Sequence, residues 1–319
     1  MIKTPLLAAT TLASLLLALS PAHALLNRAW VSGHGTDAAG CGAPTSPCRT
    51  FQYVHDDIIA AGGEIDVLDP AGYGAVTITK AVSIVNDGVG TAGVQAASGN
   101  AITINAGASD LVTLRGLNID GLGTGANGIV FNSGGGLTVV NCVIRHFVGS
   151  GAGGNGVLIQ PTSGSANFLI SNVIASDNGF VGIYFVPPSG SPSATAVIKD
   201  VTAVNNQYGI ALGLGNGSLK VSLSDSAASN NAVSGVVFQL IGGGSMVASV
   251  DNSHMDNNAY GLVASGALTV RLGRSVITSN SVYGVNNATP SNTLYTYEDN
   301  RINDNGTDVS VALTPVSPR

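Results

Sequence analysis

The sequence predicts an all-β solenoid, a stack of about nine coils of short parallel strands behind an N-terminal cap. Three observations predict it. The first is composition: 43 of 319 residues are Gly and 45% are hydrophobic, yet only 9% are charged. The apolar content is too high for a disordered chain, and too few charges remain to solvate long helices. The glycines follow no triplet period, which excludes collagen. The second is a repeat. A Gly followed by a branched aliphatic recurs at Gly128, Gly156, Gly182, Gly209, Gly235, Gly261 and Gly284, in steps of 28, 26, 27, 26, 26 and 23 residues. An asparagine keeps step with it at Asn178, Asn206, Asn231, Asn258, Asn280 and Asn305, and a turn-like column precedes most of these by about six residues. That column runs through Asn172, Asp200, Asp225, Asn252 and Arg274, with Asn141 one coil earlier. The third is alternation of period two in runs of about five residues, such as Leu219-Lys220-Val221-Ser222-Leu223 and Leu268-Thr269-Val270-Arg271-Leu272.

Taken from the N-terminus, the chain opens with Lys3, an apolar run from Leu12 to Leu19 and the small-x-small site Ala22-His23-Ala24. Residues 1–24 therefore read as a secretory signal, too short to span a bilayer. The expected location is outside the cytoplasm, secreted or periplasmic, with no transmembrane segment. Cys41 and Cys48 bracket a loop without regular structure, and in an oxidising compartment they are expected to form a disulfide. Residues 25–63 form the predicted cap. Within it Thr50 to Ala61 places Phe51, Val54, Ile58 and Ile59 on one helical face, with Thr50 as N-cap and Gly62-Gly63 as the stop.

The coils are expected over residues 64–313, starting with Glu64 to Leu68 and Val76 to Ile78. Coils about 4.8 Å apart pair each strand in parallel with its neighbours. The inward column then reads Phe168, Ile170, Val221, Leu223, Val270 and Leu272. The repeated Asn, which tolerates left-handed turns, can bond its amide to the same residue in the coils on either side. Cys142 is expected to be a buried thiol. Residues 314–319, with Pro315 and Pro318, are predicted to be a disordered tail and a weak cap, open to end-to-end or partner contact.

The pattern Leu169-Ile170-Ser171-Asn172, Asn178-Gly179 and Gly182-Ile183 resembles the right-handed parallel β-helix of the pectate-lyase-like superfamily, over roughly residues 64 to 313. The stretch from Arg28 to Ala61 resembles the leader of exported β-helix proteins: a strand near Trp30, a loop, then a plugging helix. That superfamily holds lyases, hydrolases, epimerases, tailspikes and adhesins, so the resemblance is specific for fold and poor for activity. Its lyases imply carboxylates holding Ca²⁺ or an acidic sugar, with an Arg or Lys as base. The hydrolases' ordered carboxylate set is missing here. Gly33-His34-Gly35 and Asp56-Asp57 match fragments of it, but both fall in the cap.

The densest group of ionisable residues spans 246 to 274. The turn at Asn252 should turn Ser253 and Met255 inward and His254 and Asp256 outward. Asp251 projects from the preceding strand, Arg271 from the adjoining coil and Asp299 from one coil further. If the chain is an enzyme, His254 or Arg271 is the candidate base, and Asp251 with Asp256 the candidate binders of a sugar hydroxyl or a cation. The same residues also read as an ordinary solvated face. Asp120 and Arg145 align in adjacent coils beside His146 and are expected to pair. No dedicated metal site and no cofactor is indicated, Ca²⁺ entering only with the lyase reading.

Outward neighbours of the Gly-aliphatic column are Val130, Leu158, Tyr184, Ala211, Val237 and Val263, an apolar stripe that should not face water. Either the loops at Pro187-Pro188-Ser189 and Gly242-Gly243-Gly244 cover it or a ligand or partner does. Tyr184 is the only ring in that column and a candidate ligand contact. Two functions follow: a non-catalytic exported module that binds a polysaccharide or an extracellular protein, or a lyase or related enzyme acting on an acidic polysaccharide. The net charge of −6 argues against a nucleic-acid partner. The scarcity of outward acids and bases favours the first. Nothing in the sequence sets the oligomeric state.

Overall fold

The computed structural model describes residues 25–149, 153–289 and 293–317, and the signal segment 1–24 lies outside them. Parallel strands wind through about nine turns, the β-helix that the resemblance implies. Each coil has three faces. In one, the strand Ser193–Val204 runs along the first face, bends at Asp200 and continues on the second; Tyr208–Leu214 then forms the third. Among the described residues, the sheet on the third face holds ten strands, from Val76–Ile78 to Thr307–Val309.

Register follows from the inward side chains. Ile170, Ile198, Leu223, Val250 and Leu272 pair coil to coil, as do Phe168, Ala196, Val221, Ala248 and Val270, and all are buried. A slip of one residue would turn each column out to water, so burial specifies the alignment. Phe168 packs edge-on against Phe131 and Phe185, with ring centroids 5.1 and 6.1 Å apart. Cys142 is buried, and burial pushes its thiol up to about 11.

The asparagines stack in file. Asn178 donates to Asn206, Asn206 to Asn231, Asn231 to Asn258, Asn258 to Asn280 and Asn280 to Asn305, at 2.9–3.2 Å from Nδ2 to Oδ1. The left-handed conformation falls elsewhere. It is the preceding residue that has positive φ (Asp177, Asn205, Asn230, Asn257, Ser279 and Asp304), together with the earlier turn column from Asn141 to Arg274. The ladder Asn acts through its side-chain amide and through its backbone N–H, which donates to the same Oδ1 of the next Asn. The Gly column keeps step because the ladder packs on it: a Cβ on Gly209 would lie 2.6 Å from the Gly235 carbonyl oxygen and 2.9 Å from Asn231 Nδ2. Only Gly leaves room there.

The cap differs from expectation in one respect. Thr50 caps the helix, its Oγ1 accepting from the Tyr53 N–H at 3.2 Å, and Phe51, Val54, Ile58 and Ile59 are buried. The helix ends earlier, however. Phe51–Tyr53 widens into a π-turn at Val54–Ile58, and Ile59–Val67 is already a strand. The leader strand Leu26–Val31 pairs with it in parallel, Arg28 opposite Glu64 and Trp30 opposite Asp66, so the leader is the first rung of the solenoid. Pairing with that strand satisfies backbone groups that another helical turn would leave facing it. Cys41 and Cys48 form the expected disulfide.

Of the tail expected at 314–319, residues 314–317 are described and Thr314 to Val316 are paired, while 318–319 lie outside the described residues. Thr314–Pro315 pairs with Tyr295 and Thr296, and the Val316 N–H donates to the Thr296 carbonyl. Leu313, Val309 and Ile302 pack against the end of the core. Val311 and Ala312 are exposed, and burial of Leu313 just after them draws the chain back across the last coil.

Candidate functional site

Two regions of the surface carry the predicted residues. The first is the ionisable group, which the corner at Asn252 divides. Its φ of 44° turns the chain through the left-handed region, with Ser253 and Met255 buried and His254 and Asp256 outward, as expected. Asp251 stays on the first face and its partner is Arg274, whose guanidinium Nε lies 2.9 Å from Asp251 Oδ1 while its second nitrogen contacts Oδ2. The Arg274 N–H donates to Asp299 at 2.9 Å. Arg271 faces outward in a column with Ser222, Ser249 and Tyr295, and its guanidinium lies 5.3 Å above the Tyr295 ring. Asp251, Arg271, Arg274 and Asp299 thus line one polar shelf with Ser222, Ser224 and Tyr297.

His254 and Asp256 lie round the corner on the second face, with Nδ1 of His254 3.6 Å from Asp256 Oδ2. Desolvation holds the Asp256 carboxyl above the ordinary carboxylate range, with His254 acting in the opposite direction, and its Oδ1 is buried without a hydrogen-bond partner. The four residues that the sequence grouped therefore form two separate sets. Sequence reasoning missed Arg274 as the partner of Asp251, because its place in the turn column marked it as structural. Among the described residues, no three His, Cys, Asp or Glu side chains converge as a metal site.

Asp120 pairs as expected. Arg145 Nε and His146 Nδ1 each lie 3.1 Å from its carboxylate. Desolvation opposes ionisation, but the Leu122 N–H, Arg145 and His146 together hold that carboxyl below its usual range. Three donors occupy both of its oxygens, which suits a surface ion pair.

The second region is the apolar stripe on the third face. Val130, Leu158 and Ala211 are buried, while Tyr184, Val237 and Val263 are partly exposed. The glycine loop does not cover it: Gly244 and Ser245 donate to Gly215 and Gly217, so that loop stacks on the loop of the preceding coil. Ser193 and Ser218 bind the Gly164 and Pro192 carbonyls in the same way. Tyr184, Ala211 and Val237 are left as the floor of a groove of about 250 Å³, with Phe180 and Tyr208 on one side and Val186, Gln239 and Ile241 on the other. Phe180 stands edge-on to both Tyr184 and Tyr208, each centroid pair 5.7 Å apart. Burial, and then Tyr208, raises the Tyr184 phenol above its ordinary value. Apart from these two phenols, no titratable side chain lines the groove.

The rings extend beyond it. Tyr208, Ser234, Tyr260 and Tyr283 are paired in register one coil after another, and Tyr260 and Tyr283 stack with centroids 6.2 Å apart. Sequence reasoning saw only Tyr184, although Tyr208-Gly209, Tyr260-Gly261 and Tyr283-Gly284 repeat at the Gly column and were a usable signal.

No protein-family model matches the chain, and no curated protein matches it. Among solved structures it is similar to the A-module of mannuronan C-5 epimerase AlgE4 from Azotobacter vinelandii, with a TM-score of 0.46, 14% identity and coverage of 81% of this chain and 91% of that one. It is also similar to pectate lyase Pel9A, with a TM-score of 0.49, 14% identity and coverage of 92% of this chain and 78% of that one. Neither likeness assigns a role to a residue of this chain.

Proposed function

We propose that the protein is an exported, non-catalytic module that binds a polysaccharide in the groove on its third face. The observation that carries this reading is the open groove floored by Tyr184, Ala211 and Val237 and walled by Phe180 and Tyr208. Outward apolar side chains contribute little to folding when they face water, so a surface kept apolar gains its value on covering. Partly exposed rings with fixed edges present C–H-binding faces to sugars while the phenol oxygens reach hydroxyls. A disulfide suits an oxidising compartment, and among the described residues no helix is long and apolar enough to cross a membrane.

The competing reading, a lyase using His254 or Arg271, needs a base beside the substrate-binding carboxylates. The structure divides these groups: Arg271 shares its shelf with Asp251 and Asp299 but lies over Tyr295, Asp251 is taken by Arg274, and His254, round the corner, has Asp256 beside it. A glycan array with the secreted protein and its Tyr208→Ala variant tests the binding reading. We expect retention on polysaccharide spots that drops in the variant. Ultraviolet-absorbing unsaturated products from acidic polysaccharides, abolished by His254→Ala or Arg271→Ala, would instead establish the enzyme.

A further inference from the structure

We infer that the polysaccharide is uncharged and lies along the solenoid axis, spanning the groove at Phe180, Tyr184 and Tyr208 and a second platform at Tyr260 and Tyr283. The inference rests on the binding role proposed for this groove. Charge supports the first part. The lining holds eleven residues, among them Gln239 as the single amide and no Lys, Arg, His, Asp or Glu. The chain as a whole carries −6. A polyanion would meet no cation in the groove and a repulsive field around it. Lys220 and Arg271 do not serve it either, since both lie on the first face.

Geometry supports the second part. Tyr208 and Tyr260 occupy one register column, separated by the coil of Ser234, and Tyr283 follows one coil after Tyr260. Coils repeat at about 4.8 Å, close to the length of one pyranose residue in an extended chain. A polymer laid along the axis therefore presents successive sugar rings to successive coils. It stacks on the first platform, crosses the buried Ser234, and stacks again on the second. Val237 in the intervening coil and Val263 beside Tyr260 offer an apolar floor to the C–H faces of the sugars. The matching ligand is a neutral polymer whose equatorial linkages keep those faces flat.

Titration calorimetry of the secreted protein tests this, using hexamers of β-1,4-linked glucose, mannose and N-acetylglucosamine beside a hexamer of galacturonic acid. We expect a neutral hexamer to bind and the acidic one not to. Affinity should fall about tenfold or more in Tyr208→Ala and in Tyr260→Ala, as for truncation of an aromatic anchor, and should survive Tyr208→Phe. Circular dichroism and the unfolding midpoint of each variant separate lost contact from lost fold. Tighter binding of the acidic hexamer, weakened by salt and by Tyr208→Ala, would overturn the neutral ligand while leaving the groove as the binding site. Loss in Tyr208→Ala with none in Tyr260→Ala would overturn the axial path. No binding of any hexamer, or binding indifferent to Tyr208→Ala, would overturn the binding role itself.

Discussion

Replacing Asn231 by Ala removes the centre of the ladder, and the structure sets what is lost. Asn231 Oδ1 accepts from the Asn206 N–H at 3.1 Å and from its amide at 3.2 Å. Its Nδ2 donates to Ala203 O, Ser229 O and Asn258 Oδ1. The site is almost fully buried, so no water replaces these bonds. Asn206 keeps its amide bonds to Ala175 O and Val204 O, but its backbone N–H loses the partner that Asn231 supplies. Buried groups left unpaired cost about 1–3 kcal/mol each; the Asn206 N–H and the Ala203 carbonyl together predict a loss of about 2–6 kcal/mol. Asn231→Asp should be at least as damaging at neutral pH, since it points a second acceptor at two carbonyls. The control is Asn132, half-buried on the outer side of the third face, whose amide donates to Asn105 Oδ1 and whose Oδ1 accepts from Gln160 Nε2, each at 2.8 Å. There water replaces these bonds, and Asn132→Ala should stay within about 0.5 kcal/mol of the parent. Guanidinium unfolding followed by circular dichroism measures both, with midpoints compared because repeat arrays need not unfold in one step. Equal losses at the two sites, or a loss under about 0.5 kcal/mol at Asn231, would refute the claim that buried amide bonding holds the corner.

Two further outcomes follow from the backbone and from charge. Ser279 has φ 57°, and Ser279→Gly should raise stability by about 0.5–1 kcal/mol whereas Ser279→Val lowers it, read from the same unfolding curves. Asp69 and Asp256 should respond to acid with opposite sign. Desolvation opposes ionisation of Asp69, but hydrogen bonds from Ser32, Gly33 and Tyr73 hold its carboxyl below the ordinary range. Its contribution is complete above the unfolded value of about 3.9 and fades as pH falls through the lower folded value. Burial raises Asp256, so its ionisation destabilises the fold as pH rises from about 3.9 through the higher folded value. Thermal midpoints across that range should therefore show Asp69→Asn less stable at neutral pH and Asp256→Asn more stable there, with both differences shrinking in acid.

The columns were legible because each repeats under one constraint. Gly209 and its equivalents must lack a Cβ, Asn231 and its equivalents must donate and accept inside the core, and Ile198 and Leu223 must face inward. A constraint imposed coil after coil becomes a period in the sequence. What was not legible depends on single contacts. Arg274 sits in the left-handed column, where its neighbours are Asn and Asp, and only the structure shows that it turns back to Asp251. The helix after Thr50 stops at Ile58 because a strand nearly thirty residues earlier is waiting to pair, a non-local contact invisible to helical periodicity. Leu313 likewise holds the last turn through packing that no repeat announces. The division of His254 and Asp256 from Asp251 follows from one residue, Asn252, whose bend was recognised while the angle between the faces was not.

The ladder and the groove are parts of one arrangement. Tyr208 follows Asn206 by two residues and Tyr260 follows Asn258 by two, each immediately before the Gly on which the ladder packs. The backbone N–H of Tyr208 donates to Phe180 O and that of Tyr260 to Val233 O, fixing the ring columns to the coil beneath. A corner held by buried amides can move little without breaking several bonds at once, so the rings above it are set before any ligand arrives. Folding does not require those rings. Ser234 occupies the same column and is buried, showing that a small polar residue satisfies the coil there. Stability explains the asparagines but not the tyrosines beside them, and that difference is what supports the proposal of recognition on this face.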